Sequence, residues 1–155
     1  MEIIYIIIPA IVVAFMLAGK WFTQHGMEWY NHSLVLPRFT PPSWYFSVVW
    51  TILFFLTALS IIFWWQSPTQ TWSQCIFIGT LFVANGVLNV LWSYLFFYRR
   101  FIGLAVVDSG AIVVSLLLLI YFLWPVSPTS SLLLVPYLTW TIFATYLNLV
   151  IWWRN

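Results

Sequence analysis

Charge is what this sequence has least of. Of 155 residues, five are Lys or Arg and three are Asp or Glu, 5% in all, where a soluble domain carries about 25%. A surface so poor in charge could not stay dissolved in water, so the solvent of this chain is lipid. The same scarcity leaves no basic stripe to follow a phosphate backbone and excludes a nucleic-acid partner. The formal net charge of +2 is too small and too scattered to select an acidic one. Cysteine is nearly absent: Cys75 stands alone and cannot close an intramolecular disulfide. Histidine is scarce too, and nowhere do His, Cys and acids fall at metal-ligand spacing, so no metal is expected. Neither a P-loop, a dinucleotide fingerprint nor a nucleophile elbow is spelled, which removes nucleotide-driven and hydrolytic functions.

Apolar length is what the chain has. Hydrophobic residues make up 64% of it and the mean hydropathy is +1.01. Five apolar runs, 3–22, 44–65, 72–97, 101–124 and 132–153, hold 20, 22, 26, 24 and 22 residues. Each can cross a hydrocarbon core of roughly 30 Å at about 1.5 Å per residue. Unbroken stretches such as Ser115-Leu-Leu-Leu-Leu-Ile120 lack the alternation of a membrane barrel. The expected fold class is an all-α membrane protein, a five-transmembrane-helix bundle, in a single domain over residues 1–155. Proline-bearing turns break the runs at 67–71 and 125–131, and Tyr98-Arg99-Arg100 is so short a link that its flanking helices must be antiparallel neighbours. Little is left for a soluble domain, since 21 of the 41 residues outside the runs form one connection, 23–43. The chain begins Met1-Glu2 with no basic n-region and no small-residue cleavage site after the first run, so that run is expected to persist as a helix. Without a presequence, the expected location is a bacterial inner membrane. Lys20, Arg38, Arg99, Arg100 and Arg154 all fall on the side of the first loop, third loop and C-terminus. That bias predicts an N-terminus outside and a cytoplasmic C-terminus.

Aromatic residues number 34. Trp44, Trp64, Trp65, Trp72, Tyr98, Trp124, Trp152 and Trp153 sit at run ends, as interfacial anchors do. Trp50, Trp92 and Trp140 lie inside the runs, where an indole N–H needs a partner that lipid cannot supply. Counted from the basic end, Trp50, Asn89, Trp92, Asp108 and Asn148 fall about 8 to 12 Å deep, Ala144 near 14 Å and Trp140 near 20 Å. Asn85, Asn89, Trp92 and Phe96 make one stripe, Tyr137, Trp140, Ala144 and Asn148 another, and Phe46, Trp50 and Phe54 a third. These stripes predict a polar and aromatic layer between the helices. Asp108 is the lone acid deep in a run and either bonds a neighbouring helix or touches a ligand. The 23–43 connection carries Trp29, Tyr30, Phe39, Pro37, Pro41 and Pro42. It reads either as a lid over the layer or as a loop packed on helix ends. His25 and His32 have no second histidine or acid at catalytic spacing other than Glu28, about one helical turn from either, so a metal or acid–base role is the lesser reading and a surface position the expected one.

The spelling around these positions resembles the translocator protein family, also called tryptophan-rich sensory proteins (TspO/MBR). The matching strings are Trp29-Tyr30, Leu36-Pro37-x-Phe39-x-Pro41-Pro42, Phe46-x-x-Val49-Trp50-x-x-Leu53-Phe54, Leu88-Asn89-x-x-Trp92, Phe96-Phe97, Val107-Asp108 and Pro136-Tyr137-x-x-Trp140-x-x-Phe143-Ala144-Thr145-x-Leu147-Asn148. The resemblance covers nearly the whole chain. It implies a five-helix protein, a homodimer, that binds tetrapyrroles such as protoporphyrin IX or a haem-like ring beneath the first loop, with no obligatory cofactor. Its implied pocket wall is Tyr30, Trp50, Phe54, Asn89, Phe96, Asp108, Trp140 and Ala144. The stripes and the loop add Pro42, Phe46, Trp92, Tyr137 and Asn148. Animal members bind cholesterol, but the sterol motif needs a tyrosine within five residues of a basic one. Leu149 and Trp153 stand at those places, and Tyr146 lies too far from Arg154, which argues against sterol recognition through that motif.

Two functions follow from the resemblance. One is a receptor that holds a porphyrin and senses it or passes it on. The other is an enzyme degrading porphyrin in light through Trp50 and Trp140 as electron donors, although no acid–base machinery accompanies them. The absence of a charged pathway or inverted repeat argues against ion-coupled transport, and a purely structural membrane subunit is the plainest alternative.

Overall fold

In a computed structural model describing residues 3–68 and 71–155, lipid-compatible helices account for almost the whole chain. They are α1 (Ile4–Ser33), α2 (Ser43–Trp65), α3 (Trp72–Ser93), α4 (Ile102–Leu123), α5 (Pro128–Leu133) and α6 (Val135–Arg154). A π-helical turn, Tyr94–Tyr98, continues α3. Five segments are long and apolar enough to cross a membrane, with α5 and α6 forming the last together. Pro128 opens α5 and Pro136 the first turn of α6, positions where a missing N–H leaves nothing unpaired. Around the bundle, α1 lies between α2 and α3, α4 packs on α3 and α6, and α5 closes the ring against α2.

The first helix departs from the expected boundaries. Hydropathy ends the run at residue 22, yet α1 continues to Ser33, so the first half of the expected 23–43 loop is helical. The reason is amphipathic rather than apolar. Gln24, His25, Glu28, Asn31 and His32 are exposed, whereas Gly26 and Tyr30 are buried at helical spacing. No proline interrupts the stretch. The prolines at 37, 41 and 42 confine the irregular part to residues 34–42.

Those nine residues run down the flank of α6 as a strap. The Val35 N–H donates to Asn155 Oδ1 (2.9 Å), and Asn155 Nδ2 donates back to the Val35 carbonyl (3.4 Å). Phe39 stacks on Tyr146 at 5.9 Å. Beyond the strap, Tyr45 and Phe46 meet Trp140 (5.9 and 5.7 Å), and Trp50 meets Tyr137 (5.8 Å). The contacts descend α6 in order, so α2 starts well below the end of α6. Depths counted from run ends assume a common height, and here that assumption fails: Trp50 is level with Tyr137 and not with Asn148.

Serines and amides join the helices. Ser60 Oγ donates to the Ser130 carbonyl (2.8 Å), Ser130 Oγ returns a bond to the Ser60 carbonyl, and Asn85 Nδ2 donates to Ser115 Oγ (2.8 Å). Such bonds hold helices together where apolar burial offers no driving force against lipid. Trp64, expected as an interfacial anchor, is 4% exposed and packs on Phe82 in the core. Most other run-end tryptophans are exposed, Trp153 at 91%.

The π-helical turn sets the wall at the basic end. The Arg99 N–H reaches the Tyr94 carbonyl (2.9 Å) and the Phe101 N–H that of Leu95 (2.8 Å). Widening the turn brings two consecutive rings inward, Phe96 at 1% and Phe97 at 7% exposure. Arg100 leaves the turn at φ 59°, with its guanidinium 5.5 Å from the Trp29 ring. Helix α1 can approach because position 26 is glycine: a Cβ there would strike the Phe97 carbonyl and stand 2.6 Å from Phe97 Cβ. Gly26→Ala is therefore expected to cost about 1–3 kcal/mol by overpacking. At Gly110 a Cβ would meet nothing within 4 Å, so Gly110→Ala should be neutral or raise stability by up to about 1 kcal/mol. Thermal unfolding in detergent compares the two; equal effects would contradict this packing.

Candidate ligand pocket

A cavity of about 280 Å³ lies towards the basic end, between α1, α2, α3 and α6. Each helix presents one stripe to it. Helix α1 gives Met16, Gly19, Lys20, Thr23, Gln24, Met27 and Tyr30; α2 gives Ser43, Phe46, Ser47, Trp50, Thr51 and Phe54. From α3 and its π-helical turn come Asn89, Trp92, Ser93, Phe96 and Phe97, and from α6 Ala144, Leu147, Asn148 and Ile151.

Of the thirteen expected site residues, the cavity brings together nine: Tyr30, Phe46, Trp50, Phe54, Asn89, Trp92, Phe96, Ala144 and Asn148. Pro42, Asp108, Tyr137 and Trp140 lie outside its wall. Pro42 is the exposed cap residue of α2. Asp108 is buried on α4, a helix that contributes nothing to the wall because α3 and α6 stand before it. Tyr137 is one layer back, its hydroxyl accepting from Asn89 Nδ2 (3.0 Å) while its ring edge supports Trp50. Trp140 touches the wall through Phe46, a consequence of the low start of α2.

Apart from Tyr30, helix α1 is the part of the site that sequence reasoning passed over. Met16, Lys20, Thr23, Met27 and Tyr30 recur at steps of three and four, a legible stripe. It went unread because it crosses the point where hydropathy falls. The strap is absent from the lining; the end of α1 and the π-helical turn close the site instead.

The wall is flat and aromatic. Trp92 stacks on Phe96 at 5.3 Å and 16°, Tyr30 leans on Phe96 and Phe97, and Trp50 packs against Phe54 at 5.9 Å. Its polar groups divide in two. Asn89 is already paired with Tyr137. Among the described residues Asn148, only 2% exposed, has a partner for neither its amide nitrogen nor its oxygen, and Trp92 Nε1 also lacks one. An unmade hydrogen bond on a buried group costs about 1–3 kcal/mol. Asp108 Oδ2 and Trp140 Nε1 are unpartnered as well, away from the cavity. Among the described residues Lys20 is the one charged residue of the wall.

A family model described as the TspO/MBR family matches residues 6–154. The tryptophan-rich protein TspO of Archaeoglobus fulgidus is 35% identical over 144 residues, 93% of this chain and 92% of that protein. The tryptophan-rich protein TspO of Chlorobaculum tepidum is 38% identical over 137 residues, 86% and 84% of the two chains. The translocator protein of Homo sapiens is 29% identical over 141 residues, 88% and 80%.

The two asparagines of the wall should respond oppositely to removal. Asn148→Leu deletes an unpartnered amide and is expected to leave the ligand-free protein as stable or up to about 2 kcal/mol more stable. Asn89→Leu strands the Tyr137 hydroxyl and should cost about 1 kcal/mol. Thermal unfolding without ligand checks the pair; equal destabilisation would mean that Asn148 is paired after all.

Proposed function

The chain is an integral multi-pass membrane protein that belongs to the TspO/MBR family, and on that premise we propose that it is a receptor whose cavity binds a flat tetrapyrrole, protoporphyrin IX or a haem-like ring. The observation that carries this reading is the pairing of stacked aromatic faces with a buried, unpartnered Asn148 amide in the same cavity. Broad rings stack on aromatic faces with tolerance for their substituents. A wholly apolar occupant such as an acyl chain would leave the amide as costly as it is in the empty site; a heteroaromatic ligand with polar groups relieves it. The volume lies just below the roughly 300–1,000 Å³ typical of small-molecule pockets, so a macrocycle enters edge first and widens the site.

Orientation follows the basic residues. The Val35–Asn155 bonds and the Arg100–Trp29 contact support one common end for Arg38, Arg99, Arg100 and Arg154, and that end faces the cytoplasm. The reading as a light-dependent porphyrin-degrading enzyme draws support from Trp50 on the wall, while Trp140 stands one ring behind it.

Tryptophan fluorescence titrated with protoporphyrin IX in the dark is expected to quench saturably. Asn148→Leu should raise Kd about tenfold, the loss of one hydrogen bond of about 1.4 kcal/mol. Non-saturable quenching, identical in wild type and variant, would refute binding here. Illuminating the complex separates the two functions: unchanged pigment absorbance fits a receptor, whereas loss that requires Trp50 fits the enzyme.

A further inference from the structure

The outer seam between α1 and the π-helical turn carries a second group of side chains. Trp21, Phe22 and His25 come from α1, Tyr94, Tyr98 and Arg99 from the turn and its cap, and none of them lines the cavity. Their rings form one continuous shelf. Tyr98 stacks on Trp21 at 6.1 Å and on Tyr94 at 5.6 Å, and His25 lies 4.2 Å from Trp21 and 6.3 Å from Tyr98. Phe22 packs edge-on against both tyrosines at 5.2 and 5.7 Å. Trp21 and Tyr98 are half exposed. Tyr98 ends an apolar stretch able to span the membrane and Arg99 is the first residue past it, which sets the shelf at headgroup level.

The polar groups of the shelf are fixed but not spent. The Arg99 guanidinium donates to the Tyr94 hydroxyl (3.3 Å) and lies 5.0 Å from the Phe101 ring. These contacts hold it in place, yet it pairs with no carboxylate among the described residues. His25 Nδ1 stands 2.7 Å from the Trp21 carbonyl. A carbonyl can only accept, so Nδ1 carries the proton and Nε2 of the neutral ring presents a bare lone pair. Glu28, one helical turn beyond His25, is exposed and pairs with no cation among the described residues. Below the shelf the surface turns apolar: Leu17, one turn from Trp21, and Leu91, two turns from Tyr98, are both exposed.

We propose that this shelf is a headgroup site for a zwitterionic aminophospholipid of the phosphatidylethanolamine type. Arg99 and the Tyr94 hydroxyl hold the phosphate. The ammonium lies over the exposed rings of Trp21 and Tyr98 and donates to His25 Nε2 and the Glu28 carboxylate. The acyl chains descend past Leu17 and Leu91. Each part of that headgroup meets its complement, a free cation for the phosphate and a free anion for the ammonium. Phosphatidylglycerol would answer Arg99 and leave Glu28 without a cation, and phosphatidylcholine has no N–H to give His25. The site stands apart from the tetrapyrrole reading, since it shares no residue with the cavity wall.

The test titrates lipid into the full chain in non-ionic detergent and reads the first bound molecule by native mass spectrometry. Wild type is expected to bind dioleoyl phosphatidylethanolamine about tenfold more tightly than the matching phosphatidylglycerol or phosphatidylcholine, as one charge-assisted contact allows. Arg99→Gln should weaken all three lipids. His25→Phe, which keeps a ring on the shelf, and Glu28→Gln should each weaken the ethanolamine lipid alone. All three side chains are exposed, so these replacements leave the packing of the bundle intact. Equal affinity of wild type for the three lipids, or a preference that survives both His25→Phe and Glu28→Gln, would overturn the proposal. A preference for phosphatidylglycerol would reduce Arg99 to a contact for any anionic lipid and overturn it as well.

Discussion

Hydrocarbon neither donates nor accepts hydrogen bonds, so each polar side chain on these helices must be answered by a carbonyl of its own helix, as Thr57 is by Leu53, by another helix, or by whatever occupies the space between them. Ser60 and Ser130 answer each other between α2 and α5, Asn85 and Ser115 between α3 and α4, Asn89 and Tyr137 between α3 and α6. These pairs fix which faces meet and leave the remaining surface free to be apolar. Against that pattern, the unpaired amide of Asn148 and indole N–H of Trp92, both on one cavity wall, carry information. A bundle built only to pack would fill that space with leucine.

The cavity exists because two helices misalign. Helix α2 begins low beside α6, and the strap fills the flank that this leaves, held at Asn155 and Tyr146. Helix α1 runs the other way, about 45 Å long, and its last turns lean on the π-helical turn through the gap left by Gly26. Closure at the basic end is thus helical, with the Tyr30, Phe96 and Phe97 rings meeting there. A ligand large enough to widen the site would have to work against this contact or pass between α1 and α2, where Lys20, Gln24, Ser47 and Thr51 line the cavity and are exposed.

Much of this was legible in the residues. Five crossings followed from apolar length, and the stripes through Asn89 and Trp92 and through Ala144 and Asn148 pointed to the side chains that line the cavity. Failure came where one local measure stood in for a three-dimensional one. Hydropathy ended α1 at residue 22 because Gln24, His25 and Glu28 are polar, although they occupy one exposed face of a continuing helix. Residue counting gave heights as if all helices began level, and the resemblance carried Asp108 and Trp140 onto the wall. Only the paths of the strap and of α4 show that neither reaches it. Trp64 failed for a similar reason: a run end marks an interface only when the side chain points outward, and this one turns in towards Phe82.

The indole N–H resonances of the twelve tryptophans offer the most direct view of the central claim, that the cavity between α1, α2, α3 and α6 is where the ligand sits. Assigned by single Trp→Phe replacements and followed by NMR as protoporphyrin IX is added, the signals of Trp50 and Trp92 should move strongly under the ring current of the bound pigment. Those of Trp72, Trp124 and Trp153, exposed on the outside of the bundle, should stay in place. Fixed Trp50 and Trp92 signals alongside shifts at those outer positions would put the pigment on the lipid-facing surface and contradict the account.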